Sequence, residues 1–513
     1  MGTWELNIKY LIGIDIGTSG TKVILINTRG KVLAKGLHEY PLFAPKPGWA
    51  EQDPEAWWAA VVKGIKEVIK NIRPSEIAGI GLSGQMHGLV ALDKNNKVLR
   101  PAILWCDQRT VKQCAYITRK IGAARLIKLV SNPALTGFTA GKILWMKENE
   151  PGLYKKTAKF LLPKDYIRFK LTGEFATEVS DASGTLLLDI ARRKWSETLL
   201  KELKIDRRLL PVCRESEEIG GYIDRKAAGL TGLSVRTPVG GGAGDQAASA
   251  VGCGIVESGI ISVTLGTSGV VFAFSDKLKL DKQGRIHTFC HAVKGKWHTM
   301  GVMLSAGGSL KWFKDNLCKE ELALAAKKKL DPYEIILKGL DRIAPGSERL
   351  LFLPYLCGER TPYADPYARG AFIGLEPRHN KKHMARAVLE GVSFGLRDSL
   401  EIMRSLKIPV KQIRVTGGGA GSKLWLQMLA DIFGQEVVTV KLTEGGALGA
   451  ALLAGKSAGV YKDLSGICKK LIRAGKSYKP DKKKALLYNG YYELYKKTYR
   501  NLKEEFKELS GLR

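Results

Sequence analysis

Apolar residues run almost unbroken through "YLIGIDIG", return in "TKVILIN", and thin toward alternate positions in "VLAKGLHEY". With GTSG and TRGK turns between them, these runs predict a three-stranded meander over the first forty residues. From Pro54 the stretch "PEAWWAAVVKGIKEVIKNI" places apolar residues at helical spacing, with Asp53 as its cap. "IAGIGLSGQMHGLVALD" then reads as strand, loop and strand, and residues 110–235 are mixed, with helices over "AGKILWMKENEP" and "LPKDYIRFKLTG". A second strand-rich block runs from "VRTPVGGGAGDQAASAVGCG" through "IISVTLGTSGVVFAF". Beyond it lie a helix "HMARAVLEGVSFGLRDSLEIM", a strand "IRVTGG", a helix "SKLWLQMLADIFG", a strand "EVVTV" and a helix "GGALGAALLAG". Strand–helix alternation of this kind is α/β. The Lys- and Tyr-rich tail from about 460 to 513 reads as helical and carries no motif chemistry.

The two apolar hairpins around GTSG share one construction, except that Thr264 stands in the second where Asp15 stands in the first. The repeat predicts a duplicated architecture with a cleft between its halves. Glycine on each side of Thr-Ser lets backbone approach a ligand closely. Successive N–H groups with the hydroxyls of Thr18 and Ser19 then make a donor site suited to phosphate oxygens. Taken alone, either GTSG is also a tight turn that needs glycine; the recurrence favours a pair of phosphate grips. A carboxylate beside phosphates is repulsive without a cation between them, which assigns Asp15 to Mg²⁺ or its water shell.

Composition narrows the class. At 513 residues and 45% hydrophobic, the chain can bury the cores of two or three domains. It has no apolar run of ~18 residues, no secretory pattern in "MGTWELNIKY", and eight scattered cysteines without a CxxC pair. A cytoplasmic protein with reduced thiols and no membrane partner is expected. The net charge of +32 raises a nucleic-acid partner. The basic residues are dispersed, with no RNP-like aromatics or paired zinc ligands, so a solvated Lys-rich surface without nucleic acid is the expectation.

Further chemistry sits in glycine-flanked turns. In "GGGAGDQAASAVG", Asp245 stands at the head of a helix whose N–H groups would favour its ionised form; as an isolated Gly-Asp it reads first as a helix cap. "GQMHG" presents Met86 and His87 at the end of a strand. In "WCDQR", Asp107 either bonds hydroxyls or pairs with Arg109. His287, Cys290 and His291 of "HTFCHA" lack a fourth zinc ligand, and packing is the better reading. Glycine turns at "VTGGGAGS" and "LSAGGSLKW" could lie against a nucleotide, and no GxxxxGK[ST] loop is present.

Taken in order, "IGIDIGTSGTKV", "GQMHGLVALD", "RPAILWCDQRT", "LLPKDYIRFKLTGEFATEVSDASGT", "GGGAGDQAASAVG", "SVTLGTSGVV", "HTFCHA", "FLPYLCGERTP", "RAVLEGVSFGL" and "GGGAGSKLWLQMLADI" resemble the FGGY carbohydrate kinases over roughly residues 10 to 455. Within that family the resemblance is strongest to its D-xylulose-phosphorylating branch. It implies two ribonuclease-H-like domains of the actin, sugar-kinase and Hsp70 type, with ATP and sugar meeting between them. The expected units are 9–254 on the sugar side, 255–460 on the nucleotide side, and a basic tail over 461–513. The resemblance further implies that Asp245 is the base taking the C5 hydroxyl proton of xylulose, and that Met86 and His87 touch the sugar. Gln246, beside the base, is a further expected sugar contact. Thr267, Gly307 and Gly419 would line the ADP site, and a homodimer is common in the family. Cys357 to Pro362, the variant "CGERTP", is expected to be a turn or cleft element without catalytic role. The open alternatives are another ketose or polyol as acceptor (ribulose, glycerol, gluconate), or an actin- or Hsp70-like ATPase with no sugar acceptor.

Overall fold

The computed structural model describes residues 10–440 and 444–512. The decapeptide read for a targeting signal, up to residue 9, lies outside them, as does residue 9 of the first expected unit. The first half opens with the predicted meander: β1 (Tyr10–Ile16), β2 (Gly20–Asn27) and β3 (Val32–Glu39). β1 is buried along nearly its whole length, because elements cover both faces of a central strand. Edge strand β3 alternates between exposed and partly buried positions. Helix α1 (Pro54–Val68) begins as its sequence predicts: Asp53 Oδ1 accepts the Glu55 amide at 3.0 Å, and Pro54 fills the first turn.

Beyond α1 the half comprises β4 (Ile77–Gly84), α2 (Thr139–Asn149), α3 (Pro163–Thr172), β5 (Ile219–Tyr222), β6 (Pro238–Gly240), β7 (Ala243–Gly244) and α4 (Asp245–Gly252). Its seven-stranded sheet runs β5-β6-β4-β1-β2-β3, and β7 also pairs with β4. β4 is parallel to β1, while β2 and β3 are antiparallel neighbours.

The second half repeats this plan with β8 (Gly259–Leu265), β9 (Gly269–Ser275), β10 (His287–Cys290), β11 (Trp297–Met303), α5 (Gly307–Leu317), α6 (Lys381–Ser405), β12 (Val410–Thr416), α7 (Lys423–Phe433) and β13 (Val437–Val440). They are followed by α8 (Gly445–Ser457), β14 (Ala474–Tyr478) and α9 (Lys482–Gly511). The sheet order is β10-β11-β9-β8-β12-β13-β14. As in the first half, an antiparallel meander leads from the central strand β8, and β12 lies parallel on its other side.

Helix α8 ties the halves together. Its sequence, GGALGAALLAGKS, is apolar nearly all round and buried from Gly446 to Gly455, as a helix enclosed on every side must be. It packs against β1 and β4 of the first sheet and crosses α4. Side-chain-free positions allow this approach: a Cβ on Gly13 would overlap the Ala447 carbonyl, and one on Gly81 the Ala450 carbonyl. Where the helices cross, a Cβ on Gly449 would strike the Ala248 carbonyl.

The tail read as helical contains a strand as well, since β14 pairs with β13 at the sheet edge. In α9 the tyrosines recur at helical spacing and are buried, each hydroxyl with a partner: Tyr488 on Glu390, Tyr492 on Asp398, Tyr495 with Tyr355, and Tyr499 on Asp365. Among the described residues, no helix is long and apolar enough to cross a membrane.

Candidate active site

Asp15 sits near the end of β1, and its Cα partner on the parallel neighbour β4 is Ser83. Ser83 Oγ donates to Asp15 Oδ1 at 2.8 Å. Gly446, at the start of α8, crosses so close that a Cβ there would lie 2.8 Å from Asp15 Oδ2. Burial raises the Asp15 pKa above the ordinary carboxylate value, against the Ser83 hydrogen bond and the Lys22 charge. No described residue donates to Oδ2. A partly buried carboxylate with one oxygen held and the other without a donor among the described residues fits a hard cation that keeps most of its own water, as Mg²⁺ does.

Asp245 is the first residue of α4, and the capping position is Gly244. The carboxylate accepts only from its neighbour Gln246, whose amide reaches Oδ1 at 2.8 Å and whose side chain reaches Oδ2 at 3.5 Å. It therefore does not cap the helix. Its pKa is raised to about 7, first by burial and then by the charge of Asp15. These effects outweigh the helix N-terminus, which by itself would have favoured ionisation.

Met86 is buried against the turn before the base: a Cβ on Gly244 would fall 2.8 Å from Met86 Cγ. His87 has φ +70°, a left-handed conformation that costs a side-chain-bearing residue energy. It is held there from both ends. Its Nδ1 donates to the Gly184 carbonyl at 2.6 Å, while its own carbonyl accepts from Lys142 Nζ at 2.9 Å and Thr139 Oγ1 at 3.0 Å. Burial pushes the His87 pKa down to about 3, so the ring is neutral; with the proton on Nδ1, Nε2 is left as an acceptor. The ring meets Phe138 edge-on at 4.9 Å.

Of the two readings of Asp107, the structure contains the ion pair. Asp107 is fully buried, with Oδ1 taken by the Arg109 amide and Nε, and Oδ2 by Arg109 Nη2 and the Ala50 amide. Both oxygens are thus committed within the protein, and the expected sugar contact by Asp107 gives way to a structural role. The histidines of "HTFCHA" lie among aromatic rings: His287 stacks on Phe289 and bonds Asn132, and His291 meets Phe272 and Phe274.

The two GTSG turns differ in their surroundings. In the first, Gly17 N donates to Gly20 O, and Thr18 is engaged by three side chains: Trp105 Nε1 donates to its hydroxyl, which donates to Gln85, and Gln52 reaches its carbonyl. Ser19 is exposed. In the second, the Thr267 carbonyl accepts the amides of Ala306 and Gly308, and Gly307 donates to Gly266 O, which locks the turn onto the start of α5. Thr267, Gly307 and Gly419 converge on one cavity of about 670 Å³, with Tyr333 and Trp425 in its wall. A second cavity of about 480 Å³, lined by Gln246, Thr264, Thr416 and Gly417, lies next to it; Gly421 borders both. Gln246, next to Asp245, thus lines a cavity that shares Gly421 with the Gly307–Gly419 cavity.

The sequence reading missed Ser83, Lys142, Thr139 and Gly446. A lysine inside the apolar run "AGKILWM" was a signal for Lys142. Ser83 becomes visible only once β4 is laid beside β1.

The chain matches the "FGGY family of carbohydrate kinases" in two parts, the N-terminal domain over residues 10–252 and the C-terminal domain over 261–458. It is 42% identical to a xylulose kinase of Bacillus subtilis (strain 168), over 97% of this chain and 98% of that one. Among solved structures, a gluconate kinase from Lactobacillus acidophilus superposes with TM-score 0.91 at 31% identity, covering 98% of this chain and 99% of the other. A ligand-bound xylulose kinase from the same species gives TM-score 0.90 at 31% identity, over 98% and 100%. The two domain matches and 42% identity over nearly the whole chain show the family: this chain belongs to the FGGY family of carbohydrate kinases.

Proposed function

We propose that the chain transfers the γ-phosphoryl group of ATP to the C5 hydroxyl of D-xylulose, with Asp245 as general base. The observation that carries this is Asp245 itself, a carboxylate raised to about 7 at the head of α4, with Met86 packed against its turn and Gln246 beside it lining a cavity that shares Gly421 with that of Thr267, Gly307 and Gly419. A base with a pKa near the working pH is half ready to take a proton and strong enough to matter. In the step, the hydroxyl proton passes to Asp245, the sugar oxygen forms the new O–P bond, and the bond to the β-phosphate oxygen breaks with ADP as leaving group.

His87 Nε2 accepts from a sugar hydroxyl, Met86 gives apolar contact, and Gln246 contributes its amide. The GTSG turns at Thr18–Ser19 and Thr267 serve as phosphate grips, with Gly307 and Gly419 giving the nucleotide a wall free of side chains. Asp15 Oδ2, with Ser83 fixing Oδ1, would hold Mg²⁺, which supplies neutralisation of phosphate charge. The same proposal includes the division into 9–254, 255–460 and the tail 461–513. Excluding water between the halves would favour transfer to sugar over hydrolysis.

A gluconate-phosphorylating reading is kept, because the gluconate kinase structure matches as well as the xylulose kinase one. ADP release measured over D-xylulose, D-ribulose, glycerol and gluconate tests the proposal. A kcat/KM for D-xylulose at least ~10-fold above the others is expected, and preference for gluconate would replace it.

A further inference from the structure

Five charged residues are fully buried behind the turn that carries Asp245: Lys164, Asp165, Arg168, Glu178 and Asp181. Lys164 Nζ lies 2.6 Å from Asp165, 3.4 Å from Glu178 and 3.2 Å from Asp181; Arg168 Nη1 donates to Asp165 at 2.7 Å. Burial and the neighbouring carboxylates raise the Asp181 pKa well above its ordinary value. A buried cluster of this kind is costly unless its geometry is satisfied, which makes its outward bonds informative.

One of those bonds, and a second made through Ser180, end on the same loop. Arg168 Nη2 donates to the Gly241 carbonyl, and the Gly244 amide donates to Ser180 Oγ at 3.1 Å. Ser180 in turn donates to Glu178 Oε1 at 3.0 Å, and its own amide donates to Oε2 at 2.7 Å. The loop so held is "GGGAG", residues 240–244, and Asp245 follows it directly.

The chain contains its own control. The identical string "GGGAG" recurs at residues 417–421. There the bonds are local turn contacts, Ala420 N to Gly417 O and Ser422 N to Gly419 O, and a Cβ on Gly418 or Gly421 would meet nothing within 4 Å. Both copies press on a strand, a Cβ on Gly242 overlapping the Leu82 carbonyl and one on Gly417 lying 2.5 Å from the Leu265 carbonyl, but the first copy is buried throughout and the second is partly to fully exposed. A loop of four glycines has the greatest backbone freedom to lose, and no side chains with which to fix itself. Rigidity at 240–244 must therefore come from its partners: the pairing of Ala243 and Gly244 with β4, the Gly241 amide on the Glu218 carbonyl, and the side-chain bonds to Arg168 and Ser180.

We propose that Ser180 and Arg168, fixed by the buried Lys164–Asp165–Glu178 cluster, are positioning residues that hold the Gly241–Gly244 loop and so aim Asp245 at the acceptor hydroxyl. This rests on Asp245 being the base. The first test is hydrogen exchange on the unaltered, unliganded chain. Amides of 241–244 exchange at least ~100-fold more slowly than those of 417–421; equal rates overturn the proposal. The second is Ser180→Ala, with the near-isosteric Ser180→Cys, a weak acceptor, beside it should the first not fold. The expected result is a fall in kcat of ~10-fold or more, with KM for sugar and for ATP within about twofold, and faster exchange at 241–244. Unchanged kcat in a folded variant overturns it, as does a loss expressed only in KM. Asp245→Asn separates the two layers: if that variant keeps its activity, the assignment of the base fails, whereas an inactive Asp245→Asn with fully active Ser180→Ala rejects the positioning role alone.

Discussion

Acidification from pH 8 to pH 6 should switch off Asp245 while most carboxylates stay ionised. Two effects raise this group to about 7: removal from water, and the like charge of Asp15. With a pKa of 7, ~90% of the chain carries an ionised Asp245 at pH 8 and ~10% at pH 6, so kcat/KM falls ~10-fold across that interval. An unperturbed aspartate would be more than ~99% ionised at both, and the rate would not change. The assay is kcat/KM for the sugar from pH 5.5 to 9 by coupled ADP detection, with ATP held well below its own KM so that groups of the free enzyme are read. A profile flat between pH 6 and pH 8 would refute the argument. The same shift has a consequence for stability. Between 3.8 and about 7 the folded chain holds this proton and the unfolded chain releases it, so stability falls as pH rises through that window. Asn at 245 cannot ionise and removes the cost. A shift of ~3 units corresponds to at most ~4 kcal/mol, which the partial exposure of Asp245 reduces to ~1–3 kcal/mol. Asp245→Asn should thus melt higher than the parent at pH 8, with the difference vanishing toward pH 4; a variant less stable at pH 8 would contradict the electrostatic account.

Gly81→Ala should destabilise the fold by ~2–4 kcal/mol or more, because the new methyl overlaps the Ala450 backbone carbonyl and α8 must move; chemical denaturation measures it. Lys142→Met removes one of two side-chain donors to the His87 carbonyl and should raise the sugar KM ~10-fold while ATP-analogue binding by calorimetry stays unchanged. Gly307→Ala places a Cβ 2.6 Å from the Gly266 carbonyl and should displace the second GTSG turn, raising the ATP KM ~10-fold and leaving sugar binding near its parent value.

Local patterns made the scaffold legible. β1 to β3, the Asp53 cap and the alternation that gives an α/β chain are all consequences of periodicity and turn chemistry. The Gly-Asp-Gln string likewise marked Asp245. What stayed hidden depends on pairing between distant segments. Ser83 acquires its meaning from facing Asp15 across parallel strands, and Gly446 from a helix packed on the first sheet hundreds of residues after it. The strand β14, "AGKSY", has neither apolar alternation nor β-branched residues, and it exists because the edge of β13 was open. Asp107 could not be decided from "WCDQR" because both readings need a carboxylate there; the packing of Trp49 and Trp145 around the Arg109 guanidinium is what commits it to the ion pair. The helix N–H groups favour the ionised form of Asp245 as expected, but desolvation outweighs them and is set by the tertiary surroundings, which a local motif does not contain.

The register also bears on why one half of the duplicated plan has an acid and the other does not. Asp15 faces Ser83 across β1 and β4; in the same relation, Thr264 faces Thr416 across β8 and β12, with their hydroxyls 3.2 Å apart. Both pairs join a central strand to its parallel neighbour. Thr264 lines the 480 Å³ cavity together with Gln246, the residue after the proposed base. One carboxylate at Asp15 already helps hold Asp245 near 7. A second at position 264 would add another like charge facing the same space, raise Asp245 further and leave it protonated at neutral pH. It would also repel the phosphates without a second cation to offset it. Threonine keeps a polar, hydrogen-bonding wall there without charge. The fold is thus duplicated while the electrostatics are not, and a base that must ionise near pH 7 tolerates one neighbouring carboxylate better than two.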